Sequence, residues 1–170
     1  MPVRCAVLTI SDRSFSGQRE DSSGPILVHK ARDAGWEVVA TNIVPDDFNA
    51  IRNYLIECCD QDKADLILTT GGTGFSERDI TPEATQSVIQ RFTPGLAEAM
   101  RQKSLDKTPH AMLSRGVAGI RSRSLIINLP GSPKAAAENL DVIIPVITHA
   151  VALLREDPSA EQGHRIQEEK

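Results

Sequence analysis

Asp65-Leu-Ile-Leu-Thr-Thr-Gly-Gly-Thr-Gly74 is the stretch that decides the fold. Its first six residues form a run of strand length, continuously apolar at the centre and without polar alternation. That pattern suits a strand covered on both faces, as in a parallel sheet. The glycines that follow directly let the main chain turn sharply and approach a ligand closely. Consecutive amides in such a turn can converge on an oxyanion.

Upstream, Cys5-Ala-Val-Leu-Thr-Ile10 has the same character, and residues 37–44 are a further strand. Residues 11–24, rich in Ser, Asp and Gly, read as a loop. Ile26, Leu27, Lys30 and Ala31 have helical spacing, with Gly35 as the stop. Pro45-Asp46-Asp47 opens a helix carrying Ile51, Leu55 and Cys58. Beyond the glycines, Thr81-Pro82 and Thr93-Pro94 each read as N-cap and first helical residue. The first of these helices should carry Ala84, Val88 and Phe92 on one side, the second Leu96, Ala99 and Met100. Residues 117–120 and 125–129 are short strands around a turn. After Pro130-Gly-Ser-Pro133 a last helix presents Ala136, Leu140, Ile143, Ile147, Val151 and Leu154, with a kink or break expected at Pro145. Alternating strands and helices predict an α/β fold with a mainly parallel sheet and helices on both faces. Residues 1–155 are expected to be one domain, followed by a disordered polar tail over 156–170.

Ligands of such folds bind beyond the carboxyl ends of the strands. That rule selects the loops 11–24, 71–81 and 130–133. The glycine loop is neither a Walker A loop nor GxGxxG, so a polyphosphate there needs a cation and basic side chains instead. Asp79 lies just past the glycines. A carboxylate beside a phosphate nest is costly unless a cation such as Mg²⁺ lies between them; the alternative is a cap at the start of the helix. Of Asp46 and Asp47, one caps a helix and the other is free to reach the site. Arg13, Arg78 and Lys134 stand near strand ends, and each faces either phosphate or solvent. His110 has no Ser or Cys partner at triad spacing. His29, His149 and the Cys58-Cys59 pair read as packing residues.

The 170 residues carry a net charge of −4 at pH 7, which gives no support for nucleic-acid or anionic-membrane binding. With aromatics at 4%, base-stacking platforms are not expected either. Cys5, Cys58 and Cys59 form neither a disulfide framework nor a zinc site and point to a reducing compartment. No signal peptide is evident, and no apolar run approaches the roughly 18 residues of a membrane span. A cytoplasmic protein is expected.

Leu8-Thr-Ile-Ser-Asp12, Val44-Pro-Asp46, Thr69-Thr-Gly-Gly-Thr-Gly-Phe75, Arg78-Asp-Ile-Thr-Pro-Glu-Ala-Thr85, Thr93-Pro-Gly-Leu96, Met112-Leu-Ser-Arg115, Gly119-Ile-Arg121 and Leu125-Ile-Ile-Asn-Leu-Pro-Gly-Ser132 occur in this order. With these motifs the chain resembles the molybdopterin adenylyltransferases: bacterial Mog, the related MoaB proteins, and the G domains of the plant enzyme and of gephyrin. The resemblance implies a three-layer α/β fold and a homotrimer, with contacts to other proteins of molybdenum cofactor biosynthesis. It implies transfer of AMP from Mg-ATP to the terminal phosphate of molybdopterin, with release of pyrophosphate. Asp46 and Asp79 match the family's functional aspartates, with Mg²⁺ as the metal. Ser104 and Ser114 match pterin-site serines. Ser11, Asp12, Thr70, Gly71, Gly72, Thr73, Gly74, Pro130, Gly131 and Ser132 complete the expected substrate and phosphate site. Thr81 in Asp-Ile-Thr-Pro-Glu favours the Mog type over MoaB. The rival readings are a non-catalytic pterin carrier of MoaB type and a gephyrin-like trimeric scaffold, the latter disfavoured by the lack of a long linker and second domain.

Overall fold

The computed structural model describes residues 2–158 and 160. Its elements are β1 (Arg4–Ile10), α1 (Asp12–Phe15), α2 (Ser23–Asp33), β2 (Glu37–Val44), α3 (Phe48–Asp60), β3 (Leu66–Thr70), α4 (Thr81–Gln86), β4 (Arg91–Phe92), α5 (Pro94–Leu105), a 3-10 turn (Pro109–Leu113), β5 (Ala118–Arg121), β6 (Ser124–Leu129) and α6 (Pro133–Leu154). The six strands form one sheet in the order β2-β1-β3-β6-β5-β4. From β2 to β6 all pairs are parallel, whereas β5 and β4 add on antiparallel.

Strand alternation divides the core into two layers, because successive side chains point to opposite faces. Cys5, Val7, Leu66, Leu68, Leu125 and Ile127 pack with Leu27 of α2, Met100 of α5 and the Leu140, Ile143 and Ile147 stripe of α6. Ala6, Leu8, Ile67 and Ile126 face the other way, onto Ile51, Leu55 and Cys58 of α3 and Ala84 of α4. The fold is therefore the three-layer α/β sandwich that the sequence predicts. β1, β3 and β6 are buried almost throughout, while β2, at the sheet edge, is largely exposed.

Several local expectations need correction. The 11–24 segment is not all loop: Ser11 caps the short α1 by accepting the Ser14 amide at 3.2 Å, and α2 begins at Ser23. The helix opened by Thr81 stops at Gln86 rather than continuing to Phe92. Gln90 and Thr93 donate their amides to Ile120 and Ala118 of β5, so residues 91–92 become an edge strand and Phe92 is 61% exposed. Pro145 does not break α6, which is continuous over 22 residues. Pro145 and Asp141 both lie on the exposed side, where the carbonyl deprived of its helical partner can meet water. His29 does not pack; it is exposed and pairs with Asp33 at 2.8 Å. α6 also contains an 18-residue window of mean hydropathy 1.5, long and apolar enough to cross a membrane by length and composition. Asn139, Asp141 and His149 interrupt it, so no unbroken apolar run marks it in the sequence. In the fold its buried stripe belongs to the core. Of the expected tail, Asp157 and Ala160 still make main-chain hydrogen bonds, and the other residues after Pro158 lie outside those described.

Candidate active site

The exits of β1, β2, β3 and β6 converge on a cavity of about 480 Å³. Of the residues singled out from the sequence, Ser11, Asp12, Asp46, Thr70, Gly71, Gly72, Asp79, Gly131 and Ser132 line it. Thr73, Gly74, Ser104, Ser114 and Pro130 line a second cavity of about 280 Å³ instead. The expected site residues thus fall along two cavities, Gly71 and Gly72 lining the first and Thr73 and Gly74 the second, so the glycine turn stands as a wall between the two linings.

The wall is held by contacts that demand glycine. Gly71 and Gly72 have φ of 102° and 65°, in the left-handed region that side chains avoid. A Cβ at Gly71 would lie 2.2 Å from the Ile10 carbonyl oxygen, and one at Gly72 would lie 2.3 Å from Thr81 Oγ1. Thr81 is fully buried and ties the turn to α4: its hydroxyl donates to Gly71 O at 2.9 Å and its amide to Gly72 O at 3.1 Å. Thr81 is therefore a tether and not the expected N-cap, a position taken by Ile80 without a side-chain bond. The Gly71 amide donates to Leu129 O at 3.3 Å and is withdrawn from any nest. The amides of residues 72–74 make no hydrogen bond of their own among the described residues.

Asp47 caps α3, accepting the Ala50 amide at 2.8 Å, which leaves Asp46 to face the cavity. Asp12 and Asp46 are laced together: Asp12 N–H donates to Asp46 Oδ2 at 2.8 Å, and Asp46 N–H to Asp12 Oδ1 at 3.0 Å. Arg78 closes on Asp12 through Nε at 3.0 Å and Nη2 at 2.7 Å. That hydrogen-bonded guanidinium holds the Asp12 carboxyl below its usual range. Asp46 moves the other way. Burial pushes it up, and the charges of Asp12 and Asp79 add to this, against opposition from the Asp12 amide and Arg78. Asp79 Oδ2 accepts the Ser76 amide at 2.9 Å and would lie 2.9 Å from a Cβ at Gly74. Asp46 Oδ1 would lie 3.3 Å from one at Gly72. The two carboxylates thus flank the glycine turn. No cluster of three or more His, Cys, Asp or Glu suited to a metal occurs among the described residues.

Residues 6–149 match a family described as "Probable molybdopterin binding domain". The chain belongs to this family. It is 44% identical over 154 residues to the molybdopterin adenylyltransferase of Helicobacter pylori (strain J99), covering 89% of this chain and 88% of that protein. It is 45% identical over 171 residues to gephyrin of Dictyostelium discoideum, covering 94% of this chain but only 24% of gephyrin. Among solved structures it is similar to the molybdopterin biosynthesis enzyme MoaB of Thermus thermophilus, at 47% identity and a TM-score of 0.87, covering 92% of this chain and 98% of that one.

In this molybdopterin-binding-domain fold, several residues at the site were not singled out from the sequence. Asp21 sits in the first cavity and anchors the start of α2: it accepts Thr9 Oγ1 at 2.7 Å, Gly24 N at 3.1 Å and Ser23 N at 3.2 Å. An Asp followed by two serines before a helix is a capping signature that could have marked it. Arg13, an exposed residue, lines the first cavity; Lys134 lines neither compartment. In the second cavity Asn139 Nδ2 donates to Ser104 Oγ at 3.1 Å, and Arg101 Nη1 to Gly116 O at 2.8 Å. Beneath both compartments the buried Asn128 donates to Thr69 Oγ1 and Thr85 Oγ1, each at 2.9 Å, and accepts the Val117 amide at 3.2 Å, locking β3, β6 and α4 together.

Proposed function

We propose that this chain is a molybdopterin adenylyltransferase, acting as one unit over residues 1–155. It joins the terminal phosphate of molybdopterin to the AMP moiety of ATP. A phosphate oxygen attacks the α-phosphorus, the bond to the bridging oxygen breaks, and pyrophosphate leaves. The observation that carries this reading is the glycine wall flanked by Asp46 and Asp79, with a mainly polar compartment on one side and a mainly apolar one on the other. ATP takes the larger, charged cavity with Ser11, Asp12, Thr70, Gly131 and Ser132. The pterin takes the smaller one, whose mainly apolar lining suits its ring and where Ser104 and Ser114 offer hydroxyls to its polar edge.

The attacking phosphate is ionised at neutral pH, so the residues act by positioning and by offsetting repulsion between two anions. The amides of Gly72 to Gly74 orient phosphate oxygens along the wall. Two carboxylates, one of them raised by burial and by its acidic neighbours, form an oxygen donor set that fits Mg²⁺, which binds through one or two carboxylates plus substrate phosphates. When bound, Mg²⁺ supplies charge neutralisation for the polyphosphate. Asp46 and Asp79 are the residues that would hold it. Phe75, Phe92 and Met112, exposed at 70%, 61% and 67%, offer apolar surface for the expected homotrimer, which analytical ultracentrifugation would detect.

The deciding experiment is mass detection of adenylylated molybdopterin together with pyrophosphate release. Both should occur only when pterin, ATP and Mg²⁺ are all present. Pterin binding without ATP consumption would instead identify a carrier. Retention of a peptide partner with neither behaviour would identify a scaffold.

A further inference from the structure

Arg115 comes directly after Ser114 and bonds to the glycine turn and the loop beyond it, and nothing above gives it a task. Its amide donates to Thr73 O at 2.9 Å. Its Nε donates to Gly74 O at 2.7 Å, its Nη2 to the main-chain carbonyl of Asp79, and its Nη1 to the Glu83 carboxylate in the first turn of α4. One guanidinium thus fastens both ends of the 74–79 loop and ties them to a helix. It grips Asp79 by the peptide carbonyl only. The Asp79 carboxylate stays outside the clamp, held through Oδ2 by the Ser76 amide at 2.9 Å. Its place is therefore fixed without its charge being cancelled, as a direct ion pair would do. Glu83 takes the charge of Arg115 in its stead. Only a planar fork with several fixed N–H directions reaches three acceptors on different segments; an ammonium group does not.

We propose that Arg115 is a positioning residue for Asp79, setting the carboxylate in register with the glycine wall so that it can share a divalent cation with the substrate phosphates. This rests on the reading of Asp79 given above. Outer partners of metal ligands typically contribute roughly 10–100-fold to metal affinity or activity. A misplacement of about 1 Å costs on the order of 100-fold in rate.

The test uses Mn²⁺ as a paramagnetic probe, titrated into the full chain with the non-transferring analogue α,β-methylene-ATP and followed by electron paramagnetic resonance. Wild type, Arg115→Met, Arg115→Lys, Asp79→Asn and the Arg115→Met/Asp79→Asn double variant are compared. Arg115→Met should weaken Mn²⁺ binding by roughly tenfold or more. In the Asp79→Asn background the same change should have no further effect, because its only route is through Asp79. Arg115→Lys, which keeps the charge but lacks the fork, should behave like Met, and it carries the same test if Met fails to fold. Unchanged Mn²⁺ affinity in folded Arg115→Met, an equal loss in both backgrounds, or a lysine variant that matches wild type would each overturn the proposal. A wild-type chain that binds no Mn²⁺ with the analogue would instead refute the reading of Asp79 on which it rests.

Discussion

Replacing Gly72 with alanine probes the glycine wall without removing a charged group. Two separable costs follow from its geometry. Holding a non-glycine residue at a φ of 65° costs about 1–2 kcal/mol. The new Cβ would also lie 2.3 Å from Thr81 Oγ1, so that hydroxyl must move and its 2.9 Å bond to Gly71 O is lost. Breaking that bond at a fully buried site costs about 1–3 kcal/mol. Gly72→Ala should therefore destabilise the chain by about 2–5 kcal/mol. Thr81→Ala alone removes the same bond at a cost of about 1–3 kcal/mol, and it also removes the atom in the way. The double variant should then be no worse than Gly72→Ala, a coupling of about 1–3 kcal/mol against additivity. Urea unfolding at matched protein concentration measures all three variants, since self-association shifts apparent stability. A Gly72→Ala chain within about 0.5 kcal/mol of the parent, or strictly additive losses, would show that the contact with Thr81 is not what requires glycine here.

Asp79→Asn should keep the fold and pterin binding yet lower adenylyl transfer by more than roughly 100-fold, a larger loss than removing an outer partner causes; full turnover in the folded variant would remove Asp79 from the chemistry. Asp46 has a raised pKa in the folded chain, so the native state holds its proton more tightly than the unfolded one. Its contribution to stability is most favourable in acid and is lost as pH rises from the ordinary aspartate range through the raised value. Asp46→Asn should accordingly be more stable than wild type at neutral pH, with the gap closing in acid, while turnover is lost; thermal melts across pH 3–7 (about the range of shifted carboxylates) test the sign. Asn128→Ala strands the Val117 amide and two threonine hydroxyls, and should cost about 2–4 kcal/mol in the same urea assay.

The sheet was legible because β1, β3 and β6 are continuously apolar at their centres, and only a strand covered on both faces needs that. β4 was not, because nothing local distinguishes Arg91-Phe92 from a continuing helix; its hydrogen bonds to β5 decide it. Within the site, Asp46 was legible since Pro-Asp-Asp at a strand exit offers a spare carboxylate once Asp47 caps its helix. The split into two compartments was hidden, because Gly72 and Thr73 are neighbours in sequence yet border different cavities. Arg115 and Asn128 were hidden for a related reason: their partners lie on other segments of the chain, at distances no spacing rule encodes.

That adjacency of Gly72 and Thr73 has a thermodynamic corollary. A single peptide plane joins the two linings, so tilting it toward a guest on one side alters what it offers the other. On the placement proposed above, whatever factor the pterin imposes on nucleotide affinity, the nucleotide must impose on the pterin in equal measure. On that placement, affinities determined for either guest alone differ from those with both seated by that same factor.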